Sequence, residues 1–273
     1  MAPTLSIIVV HYKTPQLLTA CLRSLIRTIH TTTHEIIVVD VASDGTVPAL
    51  LAAQFPHVRC ISVQENTGFG KGLNLGMAQA HGTFFLALNP DIEALDDAID
   101  RLVAFAEQNP SCGMMGPRLL ETNGDVQYSA FRFYTPFTIL CRRTPIGKTR
   151  WGKQHLRSVF LEDKNITAVT TPQRIDWLMG SALLVRKDAV GRVGGMDERF
   201  FMYFEDIDWA RRFWDNGYAV MYVPQSRMRH HHLRESHRYG MLDAITNPLT
   251  RAHIISGIKY FLKYRLRIGT HHV

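Results

Sequence analysis

The chain of 273 residues has few cysteines and no long hydrophobic run. Its four cysteines are widely spaced and form no Cys-x-x-Cys pair, which argues against both a structural zinc site and a disulfide framework. No apolar run approaches the roughly 20 residues needed to cross a bilayer. The first residues also lack the basic region and the small-residue cleavage site of a secretory leader,. We therefore expect a cytoplasmic protein.

Two common phosphate-binding loops are missing as well. A P-loop requires GxxxxGK followed by Ser or Thr, whereas Lys71 is followed by glycine,. A dinucleotide fingerprint would stand directly after the first strand, where residues 11–14 read His-Tyr-Lys-Thr. Two interpretations of the glycine-rich segment 66–76 remain open. Either its backbone approaches a ligand with Lys71 facing a phosphate, or the glycines only allow a tight helix start.

The composition is typical of a folded domain with one core, because 46% of the residues are hydrophobic and 20% are charged,. The net charge of +7 is unevenly distributed. This excess suggests anionic partners, which are phosphorylated ligands, acidic lipid head groups or nucleic acid. The basic residues concentrate at Arg142, Arg143, Lys148, Arg150, Lys153 and Arg157 and at Lys259, Lys263, Arg265 and Arg267.

Strand and helix patterns alternate four times in the first 110 residues. This alternation predicts a doubly wound α/β sheet, in which ligands bind beyond the carboxyl ends of the strands. Asp40 and Asp91 follow two such strands. They suggest a metal site or acceptors for a nucleotide, although Asp is also common in turns. The predicted strands are 5–10, 35–39, 58–63 and 83–88, and the predicted helices are 14–26, 47–54, a helix ending at 80 after the glycine-rich segment, and 96–108.

The second half is less regular. Segment 113–171 has no clear period and is predicted to be a long connection that is partly mobile or covers an acceptor groove. After it we predict a strand over 175–185 bent at Gly180, helices over 186–192 and 205–216, and a strand over 219–223. Residues 252–268 form a basic amphipathic helix, which either lies on an anionic membrane surface or packs its apolar face on the core.

Segment 194–208 contains five acids within twelve positions, interleaved with aromatic residues. Carboxylates held against a hydrophobic wall have shifted pKa values, as a general base working near neutral pH requires. In the simpler interpretation the aromatics fill the core and the acids favour the N-terminus of the next helix.

Three adjacent histidines, His230, His231 and His232, follow the last predicted strand. Neighbouring side chains point apart, so all three cannot easily bind one ion. One of them could supply a nitrogen ligand beside Asp91. His271 and His272 are expected to be solvated.

Four motifs in order resemble the inverting glycosyltransferases of family 2, which have the GT-A fold, and within them the bacterial rhamnosyltransferase-like group. Residues 6–12 with 38–46 are similar to the nucleotide-binding start of that family, and 66–76 to its glycine-rich segment. Leu88-Asn89-Pro90-Asp91 stands where the family has its metal-binding DxD. Residues 177–180 through 205–208 are similar to its acceptor and general-base region.

The resemblance implies a role for each matched residue. Asp206 is implied as the general base, with Glu205 orienting or binding the acceptor. Asp91 is implied to bind Mg²⁺ or Mn²⁺, with His230 as a second contact. Two departures are Asn89 in place of the first acid of DxD and Val41 where the family usually has asparagine. The implied nucleotide site comprises Val10, His11, Asp40, Asn66, Gly68, Lys71 and Asn89, and the implied acceptor site comprises Trp177, Met179, Gly180 and Asp208.

The resemblance further implies a Rossmann-like, mostly parallel twisted sheet flanked by helices. Residues 1–235 would form the transferase domain, with a nucleotide-sugar half over 1–112 and an acceptor half over 113–235. Residues 236–273 would form a basic C-terminal extension.

The expected reaction is transfer of a sugar, such as L-rhamnose from dTDP-rhamnose, to a saccharide or to a lipid-linked acceptor carried on polyprenyl diphosphate. It would serve cell wall or lipopolysaccharide synthesis at the inner membrane face, without a nucleic-acid partner. Two alternatives are a nucleotidyltransferase, which would release pyrophosphate, and a non-enzymatic nucleic-acid-binding protein, which would show steeply salt-dependent binding.

Overall fold

The computed structural model describes residues 2–231 and 248–264. Strands and helices alternate through the first 108 residues, which confirms the α/β prediction. The elements of this half are β1 (Leu5–His11), α1 (Pro15–Thr28), β2 (His34–Val41), α2 (Thr46–Gln54), β3 (Arg59–Val63), α3 (Gly68–Ala78), β4 (Phe84–Leu88), β5 (Ile92–Ala94) and α4 (Ala98–Gln108).

The second half is more regular than predicted. Its elements are β6 (Cys112–Leu120), β7 (Ala130–Phe131), α5 (Pro136–Arg143), α6 (Arg150–Val159), β8 (Gln173–Arg174), β9 (Trp177–Leu178), β10 (Ala182–Arg186), α7 (Lys187–Val193), α8 (Glu205–Asp215), β11 (Ala219–His230) and α9 (Pro248–Lys263). Segment 113–171 is therefore not one irregular connection. Gly113 and Gly116 are residues typical of turns, but both lie within strand β6. There they make room for the side chains of Phe213 and Leu178,.

The main sheet has the strand order β3-β2-β1-β4-β10-β6-β11-β5, and β8 pairs with β11. Strands β3, β2, β1 and β4 are parallel, and so are β6 and β11. Strand β10 runs antiparallel to both of its neighbours. The predicted strand over 175–185 is in fact two strands, because β9 pairs with β7 in a separate sheet.

The core lies on both faces of the main sheet. All seven residues of β1 are buried, with Ile7 and Val9 in the cluster that includes α1 and α4, and Ile8 and Val10 in the cluster that includes α3 and α8. A Cβ atom at Gly72 of α3 would lie only 2.8 Å from Val10 Cγ1. The glycine-rich segment therefore forms most of a helix that packs closely on β1, rather than a loop before one.

Helix α9 packs on the acidic segment through one face. Tyr260 is completely buried, and Ser256 Oγ donates a hydrogen bond to the carbonyl of Met202 at 2.8 Å. None of the helices in the described ranges has the length and hydropathy needed to span a bilayer. Arg265, Arg267, His232, His271 and His272 lie outside the described residues.

Candidate active site

Asp206 lies in the first turn of α8, a helix that begins directly after two residues with left-handed backbone, Tyr203 at φ 67° and Phe204 at φ 69°. Its carboxylate accepts the N–H of Gly180 at 2.9 Å and the N–H of Ile207 at 2.8 Å. Burial raises the pKa of Asp206 to about 6, although these two hydrogen bonds favour the charged form,. Asp206 is therefore a carboxylate suited to accept a proton near neutral pH.

Glu205 is only 8% exposed, and its Oε2 has no hydrogen-bond partner among the described residues. Burial, followed by the charge of Asp206, raises the pKa of Glu205 above that of an ordinary glutamate. Two adjacent carboxyl groups with separated pKa values take different protonation states. Glu205 is accordingly the harder of the two to ionise, since the charge of Asp206 adds to the effect of burial.

Asp91 and His230 meet where β5 pairs with β11. His230 Nε2 lies 3.3 Å from Asp91 Oδ2. His230 Nδ1 and Gln127 Oε1 are 2.9 Å apart, a contact that orients the imidazole with Nε2 towards Asp91. Asp91 Oδ1 is buried and has no hydrogen-bond partner in the part of the chain that the structure describes.

This pair fits a divalent metal as a partial ligand set, with one carboxylate and one imidazole. Within residues 2–231 and 248–264, no three His, Cys, Asp or Glu side chains come together as a metal cluster. The other ligands would come from substrate oxygens and water. His231 bonds instead to Glu93 Oε2 at 3.1 Å, so His230 is the histidine beside Asp91.

His11 and Asp40 stand side by side at the ends of β1 and β2. His11 Nδ1 lies 2.7 Å from Asp40 Oδ1, and its Nε2 accepts the N–H of Thr14 at 2.8 Å. Nδ1 therefore carries the hydrogen and donates it to Asp40. Asp40 Oδ2 is buried without a partner among the described residues, so it can accept a hydrogen bond from a ligand.

The remaining predicted nucleotide-site residues have different environments. Val10 is buried under α3, Lys71 is exposed on that helix, and Asn66 Oδ1 accepts the N–H of Gly68 at 3.1 Å. Asn89 N–H donates to the carbonyl of Ser181 at 2.9 Å. Because the neighbour of Ser181 is Gly180, which bonds to Asp206, this turn connects the end of β4 to Asp206.

The predicted acceptor residues divide into two groups. Gly180 and Met179 are partly exposed beside Asp206. Trp177 is buried with its ring stacked on Phe131 at a centroid distance of 4.4 Å. Its indole ring is therefore part of the hydrophobic core.

The prediction that Asp208 binds the acceptor is wrong. Its side chain is fully buried, and its oxygens contact Arg212 Nε at 2.8 Å, Lys263 Nζ at 2.5 Å and Tyr264 Oη at 2.8 Å. These three partners satisfy the carboxylate completely, so it anchors α9 to α8 instead.

Two further residues escape the sequence analysis. Asn74 of α3 accepts the N–H of Met196 at 2.9 Å and donates to its carbonyl at 2.8 Å, so it attaches the acidic segment to α3. Gln127 orients His230. Asn74 belongs to the glycine-rich motif, whose unusual spacing points to close packing, whereas Gln127 lies between strands with no local pattern.

Comparisons with known proteins bear on the family and the fold of this chain. The family described as glycosyl transferase family 2 matches residues 6–167. An N-acetylglucosaminyl-diphospho-decaprenol L-rhamnosyltransferase of Mycobacterium tuberculosis is 30% identical over 201 residues, which are 70% of this chain and 64% of that protein. Rhamnosyltransferase WbbL of Escherichia coli is 25% identical over 209 residues, covering 73% of this chain and 72% of the relative.

Among solved structures, GalNAc-T7 with UDP, GalNAc and Mn²⁺ superposes with a TM-score of 0.65 at 17% identity, over 85% of this chain and 44% of that one. This likeness supports the GT-A fold. This chain spans 64% of the length of the mycobacterial relative. The family match covers more than half of the 273 residues of this chain. The chain belongs to glycosyl transferase family 2.

Proposed function

We propose that this protein is an inverting, metal-dependent glycosyltransferase that moves a sugar from a nucleoside diphosphate to an acceptor hydroxyl. One observation carries the proposal. The turn at residues 180–181 holds Asp206 through Gly180 and the end of β4 through Ser181. The hydrogen bonds of one turn therefore link the carboxylate of Asp206, the proposed base, to Asn89, which lies two residues before Asp91, the proposed diphosphate-binding acid.

In the proposed reaction Asp206 takes the proton of the acceptor hydroxyl as its oxygen attacks the anomeric carbon. The nucleoside diphosphate leaves from the opposite face of the sugar, so the configuration inverts. A metal held by Asp91 and His230 would neutralise the charge that develops on the diphosphate. Burial and the charge of Asp206 disfavour ionisation of Glu205, so a second negative charge beside the base is disfavoured.

We further propose L-rhamnose from dTDP-rhamnose as the donor sugar and a lipid-linked or other saccharide as the acceptor, in the synthesis of a cell-surface polysaccharide. The names of the mycobacterial and Escherichia coli relatives support this choice. Asp40, with one unpartnered oxygen, would accept an N–H of the nucleobase. The nucleotidyltransferase and nucleic-acid-binding alternatives receive no support from these relatives.

A thermal-shift screen tests the donor site. The protein is mixed with UDP, dTDP, GDP or ADP, each with Mn²⁺, Mg²⁺ or EDTA. We expect dTDP with a metal to raise the melting temperature most, because a ligand that binds only the folded state stabilises it. In the Gln127→Leu variant, His230 loses its orienting partner. The extra increase in melting temperature that the metal gives with dTDP should therefore be mostly lost, while the increase measured with dTDP in EDTA should be unchanged.

An Asp91→Asn variant should behave like Gln127→Leu. Glu107→Gln, which changes an exposed residue of α4, is the matched control. Absence of any nucleotide shift in the wild-type protein would contradict the transferase proposal.

We also propose that α9 contacts an anionic membrane surface. One face of α9 packs on the core, but Ile255, Ile258 and Leu262 are 51%, 55% and 70% exposed on the same helix. Exposed apolar side chains on a helix that also exposes basic residues, here Arg251 and Lys259, are typical of interfacial binding,.

Vesicle sedimentation tests this contact. The Ile255→Ser, Ile258→Ser, Leu262→Ser variant should bind vesicles with anionic lipid about tenfold more weakly than wild type, given the apolar area removed. Ile26→Ser, which changes another exposed isoleucine at 58% exposure on α1, should bind as wild type does. Equal binding by all three proteins would refute the proposed contact.

A further inference from the structure

Two buried serine hydroxyls close to Asp206 have no hydrogen-bond partner. Ser129 and Ser181 are 4% and 3% exposed, and the Oγ atom of each lacks a partner among the described residues. A hydroxyl that is buried in this way has lost its hydrogen bonds to water without gaining others, which makes the folded state less stable. Because such groups are rare in folded proteins, these two indicate a function other than stability.

The backbone of Ser181 lies between the two reacting groups of the proposed mechanism. The preceding residue, Gly180, donates its N–H to the carboxylate of Asp206 at 2.9 Å. The carbonyl of Ser181 accepts the N–H of Asn89 at 2.9 Å, and Asn89 lies two residues before Asp91. Ser181 is therefore held between the proposed base and the proposed diphosphate-binding acid.

Ser129 contacts the same turn from the opposite strand. Its carbonyl accepts the N–H of Met179, the residue before Gly180, at 2.8 Å. The antiparallel pairing of β7 with β9 begins at the next residue of each chain segment. Two positions before Ser129, Gln127 contacts His230. Ser129 thus lies between the turn that binds Asp206 and the residue that orients His230.

The proposed displacement determines which part of the substrates lies between these groups. The acceptor oxygen and the leaving diphosphate are on opposite faces of the transferred sugar, so the sugar lies between Asp206 on one side and Asp91 with His230 on the other. A serine hydroxyl both donates and accepts hydrogen bonds, as sugar hydroxyls do. A diphosphate is matched better by cationic donors. Met179 and Gly180 are partly exposed, so the turn is open to a ligand from solvent.

We propose that the hydroxyls of Ser129 and Ser181 bind hydroxyl groups of the donor's sugar and thereby determine which sugar is transferred. The proposal rests on the proposed transferase function and names specificity-determining residues of its donor site. A site that hydrogen-bonds a substrate hydroxyl discriminates against a substrate without it, because the polar group of the protein then stays unpaired. The sugar would supply the partners that these serines lack in the free protein.

A binding measurement on two single variants, Ser129→Ala and Ser181→Ala, tests the proposal without turnover. dTDP or dTDP-rhamnose is titrated into the full chain by calorimetry in the presence of Mn²⁺. Each variant should bind dTDP-rhamnose about 3- to 10-fold more weakly than wild type, the usual effect of one hydrogen bond. Its affinity for dTDP should be unchanged. Without ligand, its melting temperature should equal or exceed that of wild type, because an unpaired hydroxyl leaves the interior.

Ser6→Ala is the matched control, since it removes a buried hydroxyl that has partners. Ser6 is completely buried near the start of β1, at the opposite end of this strand from His11. Its Oγ donates to Glu35 Oε1 at 2.6 Å and accepts the N–H of Gly82 at 2.8 Å. This variant should have a lower melting temperature than wild type and unchanged affinity for both nucleotides.

Three results would overturn the proposal. The first is wild-type affinity for dTDP-rhamnose in either serine variant. The second is an equal loss of affinity for dTDP and dTDP-rhamnose, which would mean that the serines do not act on the sugar. The third is a fall in the melting temperature of the unliganded serine variants as large as that of Ser6→Ala, which would assign the hydroxyls a role in folding. Failure of the wild-type protein to bind either nucleotide would instead count against the proposed transferase function.

Discussion

The Asp206→Asn variant should turn over about 10²- to 10⁴-fold more slowly than wild type, the usual contribution of a positioned general base. The amide keeps an oxygen that can accept the N–H of Gly180 but cannot take a proton. The wild-type rate should fall as pH drops through the raised pKa of Asp206, about 6, because only the ionised form is a base. Initial rates against pH, with release of nucleoside diphosphate as the readout, measure both effects.

Asp188→Asn is the matched control for this substitution, since Asp188 is an exposed acid in the first turn of α7. It should keep the wild-type rate and the wild-type pH profile. The Asp206→Asn variant should also retain its thermal shift with dTDP, which shows that the fold and the donor site are intact. A near-normal rate with the acid limb unchanged would remove Asp206 from the proposed mechanism.

The Asp208→Ala variant should lose about 3–5 kcal/mol of unfolding free energy, the cost of breaking a buried ion pair. Asp208 is completely buried and pairs with Arg212 and Lys263. Its removal leaves these two cations, 18% and 21% exposed, without their shared carboxylate. Urea unfolding followed by fluorescence of the buried Trp209 gives the change in free energy.

Asp215→Ala changes an exposed acid at the other end of the same helix. It should stay within about 0.5 kcal/mol of wild type, as surface substitutions usually do. If Asp208→Ala unfolds at the same urea concentration as Asp215→Ala, the buried cluster does not hold α9 in place. The activities of these two variants can be compared as well, because the contacts of Asp208 are with Arg212, Lys263 and Tyr264, none of which is proposed to bind substrate.

Sequence patterns predict the first half of the fold well. Strands β1, β2 and β4 consist of short apolar runs that end in polar residues, and burial on both faces of a parallel sheet requires such runs. The three acids proposed to take part in binding or catalysis lie at the ends of strands or helices; they are Asp40, Asp91 and Asp206. Because the ends of elements can be recognised from hydrophobic periodicity, the positions of these acids are evident from the amino-acid sequence alone.

The second half is harder to predict because its contacts are non-local. Gly113 and Gly116 lie within a central strand, where neighbouring side chains occupy the space of their missing Cβ atoms. The role of Asp208 depends on Lys263, which is 55 positions away. Spacing within the motif cannot distinguish a carboxylate that faces the acceptor from one that faces α9.

The anchoring of α9 has a consequence for dissecting the protein by deletion. Lys263 and Tyr264 bind the carboxylate of Asp208, two positions after the proposed base, and Lys263 also pairs with Asp197 at 2.8 Å. A fragment ending before α9 would lose these contacts together with any lipid contact. Inactivity of such a fragment would thus reveal nothing about membranes, whereas point substitutions on the solvent face separate the two roles.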